Sequence, residues 1–194
     1  MKFRIDLTVD SKKEWLEAVM SDFDSFLQDH ADCERKASGM ALSLVAKYPN
    51  RTEIIPELID TSVEELEHFR DVYDIMQRRG LQLNHEIPKD IYMQKLLKIC
   101  RDGREDRFMD RLLLASLVET RGAERFRMVY EGLEEGELKQ FYHRLWASEA
   151  RHGEVFVRMA LNYFEEQDVY DRLEEMKKKE GVILDELPIR PALH

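Results

Sequence analysis

Glu64-Glu65-Leu66-Glu67-His68-Phe69 sets a carboxylate and an imidazole three residues apart, and Ser148-Glu149-Ala150-Arg151-His152 repeats that spacing in the second half of the chain. Residues i and i+3 of an α-helix project from one face, so Glu65 with His68, and Glu149 with His152, can each grip an ion. One such match carries little weight among 40 acidic residues and 6 histidines. Two matches, each preceded by a helix with an inward-capable Glu, carry far more. The preceding segments offer Glu34 in Asp32-Cys33-Glu34-Arg35-Lys36-Ala37, and either Glu119 or Glu124 in the stretch Leu117 to Phe126. In an antiparallel helical hairpin, facing residues lie equally far from the turn. Glu34 and Glu65 are symmetric about Pro49-Asn50, and Glu119 and Glu149 about Glu134. Glu124 would stand about 7 Å off level at a rise of about 1.5 Å per residue. Glu119 is therefore the expected ligand, with Glu124 a supporting or substrate-side group.

The half-chains thus repeat a Glu, about thirty residues, then Glu-x-x-His. This is the carboxylate pattern of ferritin-like bundles, in which two helices give one Glu each and two others give Glu-x-x-His. Four carboxylates and two imidazoles, hard oxygen with borderline nitrogen donors, suit a pair of iron or manganese ions better than zinc or copper. Their four negative charges balance two divalent cations.

The rest of the chain agrees with an all-α fold. Glu, Lys, Leu, Met and Arg abound as helix formers, while 8 Gly and 5 Pro leave little turn chemistry. Asp10-Ser11 is positioned to cap a first helix running through Trp15 to Leu27. Apolar spacing then predicts core helices over about 30–48, 53–80, 105–132 and 137–165, with Gly80 closing the second. Leu81 to Lys89, with Pro88, is expected as a loop. A short helix around Ile91 to Cys100 then completes a long crossover. A charged helix from Val169 to Lys179 precedes a tail from Gly181 to His194. The expected fold is a ferritin-like four-helix bundle with additional peripheral helices, one domain over 1–194.

With 43% hydrophobic and 36% charged residues, the composition excludes disorder and a membrane protein. No apolar run approaches the ~18 residues of a membrane span. Met1 to Asp6 lacks the apolar stretch of a secretory signal, so the cytoplasm is the expected compartment. Cys33 and Cys100 are expected as free thiols, with Cys33 a small buried hydrophobe. A net charge of -10 argues against a generic nucleic-acid binder, DNA included. His30, His85, His143 and His194 are expected to have no metal role, each being read as lacking a matching carboxylate at helical spacing.

Longer strings than the ligand spacing carry a resemblance. His30-Ala31-Asp32-Cys33-Glu34-Arg35-Lys36-Ala37, Glu64 to Phe69, Arg78-Arg79-Gly80, Glu119-Thr120-Arg121-Gly122-Ala123-Glu124-Arg125-Phe126 and Phe141-Tyr142 through His152 resemble the MiaE family of di-iron tRNA hydroxylases. The resemblance covers roughly Trp15 to Phe164. It implies a monooxygenase that hydroxylates the isopentenyl group of a 2-methylthio-N6-isopentenyladenosine beside the tRNA anticodon, using dioxygen and two electrons. Carried over by position, the metal ligands and catalytic groups are Glu34, Glu65, His68, Glu119, Glu149 and His152. One departure is Gly122-Ala123, where the family pattern has Ser-Cys.

No nicotinamide or flavin fingerprint is evident, and two cysteines do not make an iron–sulfur centre, so an external electron-transfer protein is expected. Arg101, Arg104, Arg107 and Arg111 form a basic segment offered as the tRNA contact, with Arg121, Arg125, Arg127 and Arg78-Arg79 as further candidates. Two other classes share parts of the pattern. A ferroxidase or peroxidase would keep the six ligands without tRNA, and a helical interaction protein would bind no metal.

Overall fold

The structure is a computed structural model that describes residues 5–85 and 89–194. Met1 to Arg4 and Pro88, both used in the sequence expectations, lie outside the described residues. Among the described residues the chain is all-helical: α1 (Lys13–Ser21), α2 (Phe23–Lys47), α3 (Ile55–Arg78), α4 (Ile91–Ile99), α5 (Arg104–Gly132), α6 (Glu137–Leu161) and α7 (Glu166–Glu186). No helix of the described residues is long and apolar enough to cross a membrane. The chain divides into two compact units: one holds 17–89 and 190–193, the other holds 1–16, 90–189 and His194.

The first unit is the α2/α3 hairpin. The expected first helix is split at Asp22, whose carboxylate accepts the Ser25 N–H at 3.2 Å and caps a new helix there. Helix α2 consequently starts at Phe23, earlier than the expected residue 30. Phe26, Leu27, Ala31, Ala41 and Leu44 from α2 and Leu58, Val72 and Met76 from α3 are buried. Between them, the Ser38 hydroxyl donates to the Ser62 carbonyl at 2.8 Å and the Ser62 hydroxyl to the Ser38 carbonyl at 3.0 Å, drawing the two backbones together. Gly80 closes α3 as expected, at a φ of 73° that favours glycine. Its N–H donates to Gln77 O at 3.0 Å and the Leu81 N–H to Met76 O at 2.9 Å, satisfying two terminal carbonyls.

The second unit is built on the α5/α6 hairpin, with α7 packed beside it and α4 packed on α7. Its core includes Phe108, Leu112, Leu117, Phe126, Tyr142 and Phe156. Gly153 permits a close crossing, because a Cβ there would stand 2.5 Å from Thr120 Oγ1. Helix α7 runs to Glu186, well past the expected end at Lys179. Gly181 is inside it and buried, for a Cβ there would meet Thr8 and Val9 at 2.7 Å. Glycine thus marks the place where the N-terminal segment presses on the helix, and α7 continues through it. The C-terminal residues are tied down as well: Ala192 and Leu193 are buried, and the Leu193 N–H donates to Asp29 at 2.7 Å.

Candidate metal centre

On the α2/α3 hairpin, Glu34, Glu65 and His68 bring ligand atoms within 4.8 Å of one another. Glu34 and Glu65 are buried and His68 is nearly so. The His68 Nδ1 lies 3.4 Å from Glu65 Oε2 and 3.8 Å from Glu34 Oε2. On the α5/α6 hairpin, Glu119, Glu149 and His152 form a second cluster with the same 4.8 Å limit, and all three are buried. There His152 Nδ1 is 3.1 Å from Glu149 Oε2. Helical periodicity explains both clusters, since the inward face that carries Leu58, Val72 and Met76 also carries Glu65.

Burying two carboxylates in one small cluster is unfavourable unless positive charge meets them. A divalent cation supplies that charge, and two Glu oxygens with one imidazole nitrogen are a donor set for iron or manganese. Each hairpin therefore fits one such ion. Glu119 lies in the second cluster, whereas Glu124 is engaged elsewhere. Glu124 accepts the Ser11 N–H at 2.6 Å, the Ser11 hydroxyl at 2.7 Å and Arg121 Nη1 at 2.8 Å. It thereby holds the N-terminal segment onto α5, and Ser11 serves this contact in place of the expected helix cap.

One residue passed over in the sequence stands against the first cluster. His30 is fully buried, stacks on Phe26 at 5.8 Å between ring centroids, and has its Nε2 at 2.6 Å from Glu34 Oε1. The signal for it is the i, i+4 spacing of His30 and Glu34, which puts both on one helix face. The other three histidines stand outside both clusters. His85 and His143 are exposed, and His194 stacks on Tyr92 at 5.0 Å. Cys33 departs from expectation: it is half-buried, with Sγ at 3.7 Å from Asp29 Oδ2. Cys100 is buried, and burial pushes its thiol pKa up.

The arginine candidates separate by burial. Arg121 is fully buried, with its guanidinium on both oxygens of Glu180 at 2.9 Å, and Arg125 is buried over the Trp15 ring at 4.7 Å. Both are structural cations, so neither is placed to meet a phosphate. Burial lowers the Arg125 pKa to about 10. Tyr92 donates to the same Glu180 at 2.9 Å, and burial first, then the Glu180 charge, pushes its pKa well up. Arg101 grips Asp110 at 2.8 Å and Asp106 at 2.9 Å. Arg104 and Arg107 are exposed in the first turn of α5, and Arg111 is half-buried. The departure Gly122-Ala123 is buried in α5, and Ala123 borders a cavity of about 590 Å3 with Thr120, Trp146 and Ala150.

Comparison with known proteins gives four findings. The family model described as tRNA-(MS[2]IO[6]A)-hydroxylase (MiaE) matches residues 3–194. A Pseudomonas putida protein named tRNA 2-(methylsulfanyl)-N(6)-isopentenyladenosine(37) hydroxylase is 37% identical over 155 residues, 80% of this chain and 75% of that protein. A Salmonella typhimurium protein of the same name is 34% identical over 108 residues, 54% of this chain and 39% of that one. Among solved structures, a Synechococcus protein with aldehyde deformylating oxygenase activity aligns with a TM-score of 0.90 at 31% identity, covering 95% of this chain and 92% of its own. The fold is thus all-α and ferritin-like.

Proposed function

Because the chain belongs to the MiaE family of tRNA hydroxylases, we propose that it hydroxylates the isopentenyl group of 2-methylthio-N6-isopentenyladenosine next to the tRNA anticodon. The observation that supports this most is the pair of buried Glu/Glu/His clusters on a ferritin-like chain. In this reading the two clusters are halves of one di-iron centre within one domain. Glu34, Glu65 and His68 hold one side, and Glu119, Glu149 and His152 hold the other. Two bound irons would supply dioxygen activation and the two-electron oxidation of an allylic carbon–hydrogen bond.

The protein residues do the rest. The four carboxylates neutralise the metal charge, and each imidazole offers a neutral nitrogen donor. Buried side chains one turn from the ligands on α6, Leu145 before Glu149 and Phe156 after His152, help exclude water from the second cluster. Reducing equivalents come from an electron-transfer protein. Phosphate contacts fall to exposed basic residues, Arg104 and Arg107 among them, and the target base is unstacked to reach the metal side. The cytoplasm is the compartment this substrate implies. The iron-handling alternative has only the shared ligands in its favour.

The test is anaerobic iron loading followed by dioxygen, a chemical reductant and modified tRNA, with mass analysis of the nucleosides. Two irons per chain and a nucleoside heavier by one oxygen are expected. Two irons without product overturn the substrate; no iron overturns the ligand set.

A further inference from the structure

Glu34 is held from two sides within its own hairpin. Its Oε2 faces His68 Nδ1 at 3.8 Å, while its Oε1 lies 2.6 Å from His30 Nε2. A carboxylate ligand is ionised and only accepts, so the imidazole is the donor and carries its hydrogen on Nε2. The bond is short and, with His30 fully buried and stacked on Phe26, water does not compete for it. It also occupies one of the two oxygens by which Glu34 could chelate.

The second hairpin is built differently. There the position one turn before the ligand Glu119, matching His30 before Glu34, is Ala115, a buried residue with no donor. The two clusters therefore differ at this position of the repeat.

We propose that His30 is a positioning residue that fixes Glu34 as a one-oxygen ligand through Oε2, making the metal position of the α2/α3 hairpin distinct from that of the α5/α6 hairpin. The inference rests on the ligand reading above. His30 does not touch metal or substrate; it acts through Glu34. Hydrogen-bonding partners of metal ligands are commonly worth about 10–100-fold in metal affinity.

The test uses the full chain titrated with cobalt(II), followed by its visible ligand-field bands, beside wild type. Wild type is expected to take two equivalents. His30→Leu, which keeps an apolar body against Phe26, is expected to weaken one equivalent by about 10–100-fold and leave the other unchanged. His30→Gln, whose amide nitrogen reaches where Nε2 stands, is expected to retain both equivalents and the wild-type bands. His30→Asn is polar but too short to reach Glu34. It should behave like the Leu variant, so the comparison stands even if the Leu variant does not fold. Packing alone would not rank Gln with His and Asn with Leu. Equal weakening of both equivalents, no weakening in either short variant, or a Gln variant as weak as Asn overturns the proposal. Two equivalents in wild type with any of those results leaves the ligand reading standing, whereas no cobalt uptake by wild type removes both.

Discussion

Single side chains decide which acids can be ligands. Glu119→Ala is expected to abolish loading of the second cluster, while Glu124→Ala leaves iron content intact and lowers thermal stability; metal analysis of both variants checks this. The reason is that Glu124 accepts three hydrogen bonds that hold Ser11 and Arg121. A second residue-scale expectation concerns Gly153. Its missing Cβ lets α6 approach Thr120 of α5, so Gly153→Ala overpacks the crossing and should cost about 1–3 kcal/mol. Thr120→Ala in the same chain should recover part of that loss, measured by a denaturant double-mutant cycle. Glu34, Glu65, Glu119 and Glu149 were legible in the sequence because helical spacing and distance from the turn suffice to place them. His30 was passed over although its i, i+4 spacing from Glu34 stood in the sequence; what the spacing does not reveal is its burial against Phe26.

At the scale of elements, the ends of helices carry the sharpest tests. Gly80→Ala forces an L side chain into a positive φ and should cost about 1–2 kcal/mol, read as a lower Tm with α3 intact. Asp110 joins the segment before α5 to α7, accepting from Arg101 and from Arg172 at 2.7 Å. Burial alone would raise its pKa, but the Arg172 and Arg101 hydrogen bonds outweigh that and lower it from 3.8. A lowered folded pKa gives stability that is present above the ordinary carboxyl value and is lost as pH falls through the folded value. Asp110→Asn should therefore be less stable than wild type at neutral pH, by about 3 kcal/mol, with the gap narrowing in acid titrations below about pH 4. Apolar spacing placed the long helices within a few residues, whereas the break at Asp22 and the length of α7 escaped it. The first rests on one side-chain cap within an unbroken apolar pattern, and the second on a glycine that signals contact with Val9 rather than a stop.

Over the whole molecule, a net charge of -10 faces a polyanionic substrate, so binding must use a local basic face. The charge reversals Arg104→Glu and Arg107→Glu together should weaken tRNA binding and flatten its salt dependence while metal content stays unchanged; filter binding across salt concentrations checks both. Unaltered binding would assign the phosphate contacts elsewhere. The Arg121–Glu180 pair described above also bears on how the protein is made. Residues 17–89 form a unit continuous in sequence apart from 190–193, so the α2/α3 hairpin can close while the ribosome is still translating the rest. Arg121 completes its contacts late: Glu124, three residues on, meets Nη1, but Glu180, which takes Nε and Nη2, emerges some sixty codons later. The second unit therefore locks only when nearly the full chain has been made.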